Sequence, residues 1–112
     1  MTTTGSGTNL SYFLTHLHGE GDPPGHTTSF DELLQELDHA DEEHPDVSVS
    51  HGSGWTLSAF RDGRVILEDV EDSSILPQHI KHLSRPEIIA LMELLAAGNI
   101  EDMRTGAWCP GY

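Results

Sequence analysis

Alternating hydrophobic and polar positions predict β-strands in two parts of the chain. Residues 10–18 alternate in this way but carry apolar groups on both faces, which is typical of a covered strand. Residues 47–70 contain three shorter alternating runs separated by glycine-containing turns. We therefore predict one strand in the first range and a three-stranded antiparallel meander in the second.

The two turns of the meander predict its register. Asp62 and Gly63 form a two-residue turn signal, which would place Ala59 opposite Ile66. A three-residue loop at 52–54 sets the other hairpin. Both registers place the same residues on one face, which we predict to be the core face: Val47, Val49, Trp55, Leu57, Ala59, Ile66 and Val70. The reverse face is predicted to be half polar: Ser48, Ser50, Thr56, Ser58, Phe60, Val65 and Leu67.

Apolar residues at helical spacing predict two helices, 29–44 and 84–97. Both ranges begin with a Ser-x-x-Glu sequence, the spacing of a capping box. Pro45 limits the first helix and Gly98 ends the second. Together the elements predict an α+β fold in which a mostly antiparallel sheet of about four strands packs against two helices.

The chain of 112 residues is long enough for one such domain, which we place at 10–112. Residues 1–9 are rich in Thr, Gly and Ser and are predicted to be disordered. No run of about 18 apolar residues and no secretory leader is found, so we expect a cytoplasmic protein without a membrane partner.

The distribution of charge along the chain restricts the possible partners more than the overall composition does. Five Lys and Arg stand against 19 Asp and Glu, a net charge of −14, and residues 1–60 contain ten acids and no Lys or Arg. Binding to nucleic acid requires clustered basic residues, so we predict no nucleic-acid partner. The imbalance favours a basic protein as the partner, although high negative charge also simply keeps a small protein soluble.

The candidate binding surface is the acidic face of the first helix, opposite its apolar stripe. No Lys or Arg lies close in sequence, so we expect repulsion between these carboxylates to be relieved by a basic partner or by bases folded against them from the second half. Trp108, in the C-terminal tail, either packs back onto the domain or anchors an interface. The predicted partner-binding residues are Asp31, Glu32, Glu36, Asp38, Asp41, Glu42, Glu43 and Trp108.

The chain carries no catalytic signature. Its eight histidines suggest a metal site, with His16 and His18 on one strand face and His79 and His82 on a helical turn. No zinc-ligand spacing or calcium loop accompanies them, so we interpret the histidines as isolated surface residues and predict no metal and no cofactor. The single cysteine, Cys109, has no helix N-terminus to activate it. We therefore predict a protein that is not an enzyme.

The order strand, acidic helix, meander, Ser84-Arg-Pro-Glu87 helix and closing Trp108-x-Pro-Gly-Tyr112 resembles small immunity proteins of bacterial polymorphic toxin systems. This resemblance covers about residues 10–112. It implies an antidote that binds a cognate toxin, often a nuclease or a deaminase, and blocks its active site. Such families share no catalytic residues, so none is transferred to this chain.

These observations lead to one expectation and two alternatives. We expect a non-enzymatic acidic binding protein, an immunity protein or another inhibitor of a basic toxin. The alternatives are a nucleic-acid mimic that occupies a DNA-binding protein, and a small His-dependent metal-binding module or enzyme. The sequence sets neither the oligomeric state nor the identity of the partner.

Overall fold

A computed structural model describes residues 12–23 and 27–112; the predicted disordered segment 1–9 lies outside this part of the chain. Its fold is α+β, with one antiparallel sheet whose six strands follow chain order. The strands are β1 (Tyr12–Thr15), β2 (Asp46–His51), β3 (Trp55–Phe60), β4 (Val65–Asp69), β5 (Gln78–Ile80) and β6 (Cys109–Pro110). The helices are α1 (Phe30–Gln35), a 3₁₀ segment (Glu36–His39), α2 (Arg85–Ala96) and α3 (Ile100–Arg104).

The predicted register is confirmed for the β2–β3 hairpin and is wrong by one residue for β3–β4. Val49 lies opposite Leu57 as predicted, but Ala59 lies opposite Val65 rather than Ile66. The Phe60 N–H donates to the Arg64 carbonyl at 2.9 Å, which closes a three-residue loop. Within that loop only Gly63 has a positive φ, of 89°. The turn is therefore a type I turn followed by a glycine bulge, not the two-residue turn that Asp-Gly also permits.

The shifted register reverses the faces of β4. Val65 and Leu67 are fully buried in the core, whereas Val70, predicted to be core, is 63% exposed. Glu68 lies opposite Thr56 on the reverse face, while the predicted register would have set it opposite Leu57 on the core face. Avoiding the burial of that carboxylate is a sufficient physical reason for the observed register.

The sheet has two more strands than predicted, and both are short. β5 forms in a segment predicted to be an irregular or extended link, and β6 forms in the C-terminal tail. They pair with each other, with His79 opposite Cys109, although helices α2 and α3 lie between them in the chain. Short strands of this kind depend on partners distant in sequence, which explains why local patterns did not reveal them.

The helix predicted at 84–97 is confirmed, and the helix predicted at 29–44 is shorter than expected. Both capping boxes form, at Ser29 with Glu32 and at Ser84 with Glu87. The first helix tightens into the 3₁₀ segment and ends at Ala40, whose ψ of 145° is extended. The sequence there offers Asp41, a residue that hydrogen-bonds backbone groups in turns and so competes with helix continuation.

All helical segments in the described ranges contribute buried residues to one core against one face of the sheet. Its fully buried members include Leu33, Leu37, Leu57, Ile88 and Met92. Trp55 is 9% exposed on this face, in agreement with its predicted core role. None of the helices in residues 12–23 and 27–112 has the length and apolar character required to cross a membrane.

Candidate functional site: a histidine–carboxylate cluster and an acidic groove

Four residues from three segments meet beside the first helix, and we call them the His16 cluster: His16, Asp22, Thr28 and Glu36. His16 directly follows β1, and its Nδ1 lies 2.6 Å from a Glu36 carboxylate oxygen. Its Nε2 lies 2.5 Å from Asp22 Oδ1. The ring is therefore held between two carboxylates, one from the following loop and one from the 3₁₀ segment.

Each carboxylate of the cluster has further donors. The Thr28 N–H and hydroxyl donate to Asp22 at 2.8 and 2.7 Å, which ties Asp22 to the residue just before the cap of the first helix. The Leu17 N–H donates to the other Glu36 oxygen at 3.0 Å. A tight turn positions His16 and Leu17 for their contacts with Glu36. In this turn the His16 N–H donates to the Glu20 carbonyl, and Gly19 adopts a φ of 91°.

The cluster is strongly polarised. The hydrogen bonds from the Thr28 backbone and hydroxyl, and then from His16, lower the pKa of Asp22 to about 2. For His16, burial lowers the pKa, but the hydrogen bonds and charges of Asp22 and Glu36 outweigh it, so the net pKa is raised above 6.5. Both shifts favour the charged forms, an imidazolium between two carboxylates.

This geometry limits the chemistry of His16. A general base or a metal ligand needs a ring nitrogen with a free lone pair, and both His16 nitrogens face carboxylates. Residues 12–23 and 27–112 contain no group of three or more His, Cys, Asp or Glu side chains arranged to hold a metal ion. The cluster is suited to holding a loop and to responding to protons rather than to catalysis.

A cavity of about 520 Å³ opens beside the cluster. Its walls include His16, Asp22 and Glu36, together with Glu20 from the loop and His39 from the 3₁₀ segment. Leu17, Pro23 and Thr28 also line it, so imidazoles and carboxylates stand beside apolar surface in this cavity.

The structure does not bring the seven predicted acids together on one helical face. Glu32 completes the helix cap, and Glu36 belongs to the His16 cluster. Asp38 accepts a hydrogen bond from Arg85 at 2.7 Å, and this bond and charge lower its pKa. Asp31 accepts from Gln35 at 2.8 Å. Four of these acids thus have partners within the fold, and one of those partners is a base from the second half of the chain.

The other three predicted acids lie beyond the helix, on the turn that follows it. Asp41 accepts the backbone N–H groups of Glu43 and His44, and these bonds lower its pKa. Glu42 and Glu43 are exposed, and their carboxylates have no polar partner among the described residues. These two side chains remain available to a partner.

Next to this turn lies a groove of about 430 Å³, which we call the acidic groove. Ala40, Pro45 and Phe60 give it an apolar part, and Asp41, Glu42 and Asp62 lie beside them. Arg61 also lines the groove, so three carboxylates there stand against one guanidinium. An apolar centre with a charged rim is the usual composition of a protein-binding surface.

Trp108 packs onto the domain, which is one of the two roles predicted for it. Its indole N–H donates to the Met103 carbonyl at 2.8 Å, and the ring packs against the core while remaining partly exposed. Its role in partner binding stays a prediction.

The interpretation of the histidines as isolated surface residues is wrong for five of them. The rings of His18 and His44 pack edge to face at 4.5 Å, and His44 lies 3.4 Å from an Asp41 oxygen. His16 forms the cluster, His51 is buried against Ser53, and His79 Nδ1 donates to the Gly111 carbonyl at 2.8 Å. The two suggested pairings are also wrong, because β1 ends before His16 and because β5 ends before His82. His26 lies outside the described residues.

The His16 cluster is the feature that sequence reasoning missed. Its other members are six, 12 and 20 residues from His16, with no fixed spacing that identifies them. The available signal was chemical: a stretch with ten acids and no Lys or Arg makes histidine its only side-chain cation.

No family model matches the chain, and neither a curated protein nor a solved structure shows detectable similarity to it.

Proposed function

We propose that this chain is a non-enzymatic binding protein that captures a basic protein, acting in the cytoplasm as an immunity protein against a nuclease or deaminase toxin. The observation that best supports this proposal is negative charge that the fold leaves unneutralised. The 19 carboxylates stand against five Lys and Arg. Arg85 pairs with Asp38 and Arg104 with Glu101, and Arg64 acts on Asp46.

The bases are too few to balance the acids, and three of the five have contacts of their own. Arg64 stacks on the Phe60 ring at 4.2 Å, and Arg104 on the Trp55 ring at 4.8 Å. Arg85 is committed to Asp38. A basic partner would replace these missing contacts, speed the encounter and disfavour partners of the wrong charge.

The acidic groove is the proposed contact surface. Glu42 lines the groove and the exposed Glu43 follows it in the chain, so both provide charge that the fold does not use. Pro45 and Ala40 offer apolar surface, together with the part of Phe60 that Arg64 leaves uncovered. Interfaces derive most of their affinity from a few such anchors, while surrounding charges set the rate and specificity of association. The cluster acids Asp22 and Glu36 support this surface by holding the fold rather than by contacting the partner.

The test is to express the chain together with the product of the neighbouring gene and to ask whether the two co-purify and whether growth is protected. The variant Glu42→Gln with Glu43→Gln should weaken the complex. The variant Glu71→Gln with Asp102→Asn removes the same charge from exposed residues elsewhere and should have little effect. A neighbouring protein that neither binds nor harms cells would overturn the immunity function.

A further inference from the structure

The His16 ring has a protonation requirement that follows from its contacts alone. Both ring nitrogens lie within hydrogen-bond distance of carboxylate oxygens, and an ionised carboxylate can only accept. Both nitrogens must therefore carry a proton. A neutral ring has one N–H and one lone pair, so one of the two contacts would set a lone pair against a negative oxygen.

The two contacts join parts of the chain that nothing else in the cluster joins directly. On one side, Asp22 is anchored to Thr28; on the other, Glu36 is anchored to the Leu17 N–H. His16 is the bridge between these two anchored carboxylates. Among the residues the structure describes, its other titratable neighbours around the cavity are Glu20 and His18 from the loop and His39 from the 3₁₀ segment.

We infer that His16 is a proton-dependent clasp, which holds Asp22 against Glu36 of the 3₁₀ segment when protonated and releases it on losing that proton. Release separates the two walls of the 520 Å³ cavity. The clasp stands apart from the proposed function, because it requires no partner and is tested on the protein alone.

The direction of the pH effect follows from the raised pKa of His16. A group whose pKa is higher when folded stabilises the folded form at pH values below its unfolded pKa. That stabilisation is lost as the pH rises through the folded pKa. The clasp is therefore closed at mildly acidic pH and opens on the alkaline side, and each unit of pKa elevation is a tenfold difference in the closing equilibrium.

Amide hydrogen exchange on the wild-type protein measures the opening directly. Protection factors, corrected for base-catalysed intrinsic exchange, are recorded between pH 5.5 and 9 together with the ¹⁵N shifts of the His16 ring. We expect protection at the Leu17 and Thr28 amides to fall together as the ring loses its proton, while the Leu57 amide in the central strand keeps its protection.

Two variants complete the test. His16→Gln should lower protection of both amides at pH 6 and remove its dependence on the ring titration. The matched control, His39→Gln, changes a histidine on the same cavity and should behave as the wild type. Protection that stays constant while the His16 ring titrates would overturn the clasp, and so would a ring that loses its proton below pH 6.5. Because the wild-type titration decides the matter, failure of a variant to fold leaves the conclusion intact.

Discussion

The acids around the first helix divide into two groups with opposite roles. Those before residue 40 are engaged: Asp22 and Glu36 hold His16, and Asp38 holds Arg85. Beyond the helix, Glu42 and Glu43 have no polar partner among the described residues. The same residue type therefore stabilises the fold in one group and remains available for binding in the other, a difference that net charge does not show.

The largest expected difference between the groups concerns Glu36. Glu36→Gln leaves an amide where His16 and Leu17 both donate, so the variant should lose about 1–3 kcal/mol of unfolding free energy, the range for hydrogen bonds to charged groups. Urea denaturation at pH 6 measures this loss. An unchanged midpoint would move Glu36 into the group that the fold does not use.

The pH dependence of Asp22 sharpens the same distinction. Its pKa is about 2 when folded and 3.8 ordinarily, so the stability it contributes is present above about pH 4 and is lost as the pH falls towards 2. The stability difference between wild type and Asp22→Asn should therefore shrink over that range. A difference that is independent of pH there would contradict the ionic role of Asp22.

A smaller effect is expected for the ion pair of Asp38 with Arg85, because both side chains are well exposed. A double-mutant cycle with Asp38→Asn and Arg85→Gln should give a small coupling energy that decreases with added salt. A coupling as large as the loss in Glu36→Gln would show that exposure does not separate the two contacts.

The smallest stability effect belongs to Glu42 and Glu43. The double change to Gln removes repulsion and no contact, so unfolding free energy should stay within about 0.5 kcal/mol of wild type. Thermal denaturation at low and at high salt checks this value. Clear destabilisation at both would mean that these carboxylates have a structural partner.

Sequence reasoning succeeded where local chemistry decides the structure. The two capping boxes, the Gly98 helix end and the β2–β3 register all depend on residues close in sequence. It failed at the β3–β4 turn, because Asp-Gly fits two loop lengths and the choice depends on which face carries Glu68. It also failed for β5 and β6. Ile80 of β5 lies opposite Val65 of β4, and Cys109 of β6 lies opposite His79 of β5, so both strands depend on residues well separated in sequence.

The candidate site was only half predictable for the same reason. The excess of acids is visible in composition, but the division into engaged and available carboxylates depends on tertiary contacts. Asp38 meets a base 47 residues away, and Glu36 meets a histidine 20 residues away. Only the end of the 3₁₀ segment was open to local reasoning, since Asp41 is a residue that favours turns.

The central claim is that the available acids at the acidic groove attract a basic partner. The most direct test is the association rate constant of the co-purifying partner, measured against ionic strength for the wild type and for Glu42→Gln with Glu43→Gln. We expect the double variant to associate roughly tenfold more slowly than the wild type at low salt. The difference should disappear as added salt screens the charges. Equal rates at low salt would contradict the claim and leave Glu42 and Glu43 as solvated surface residues.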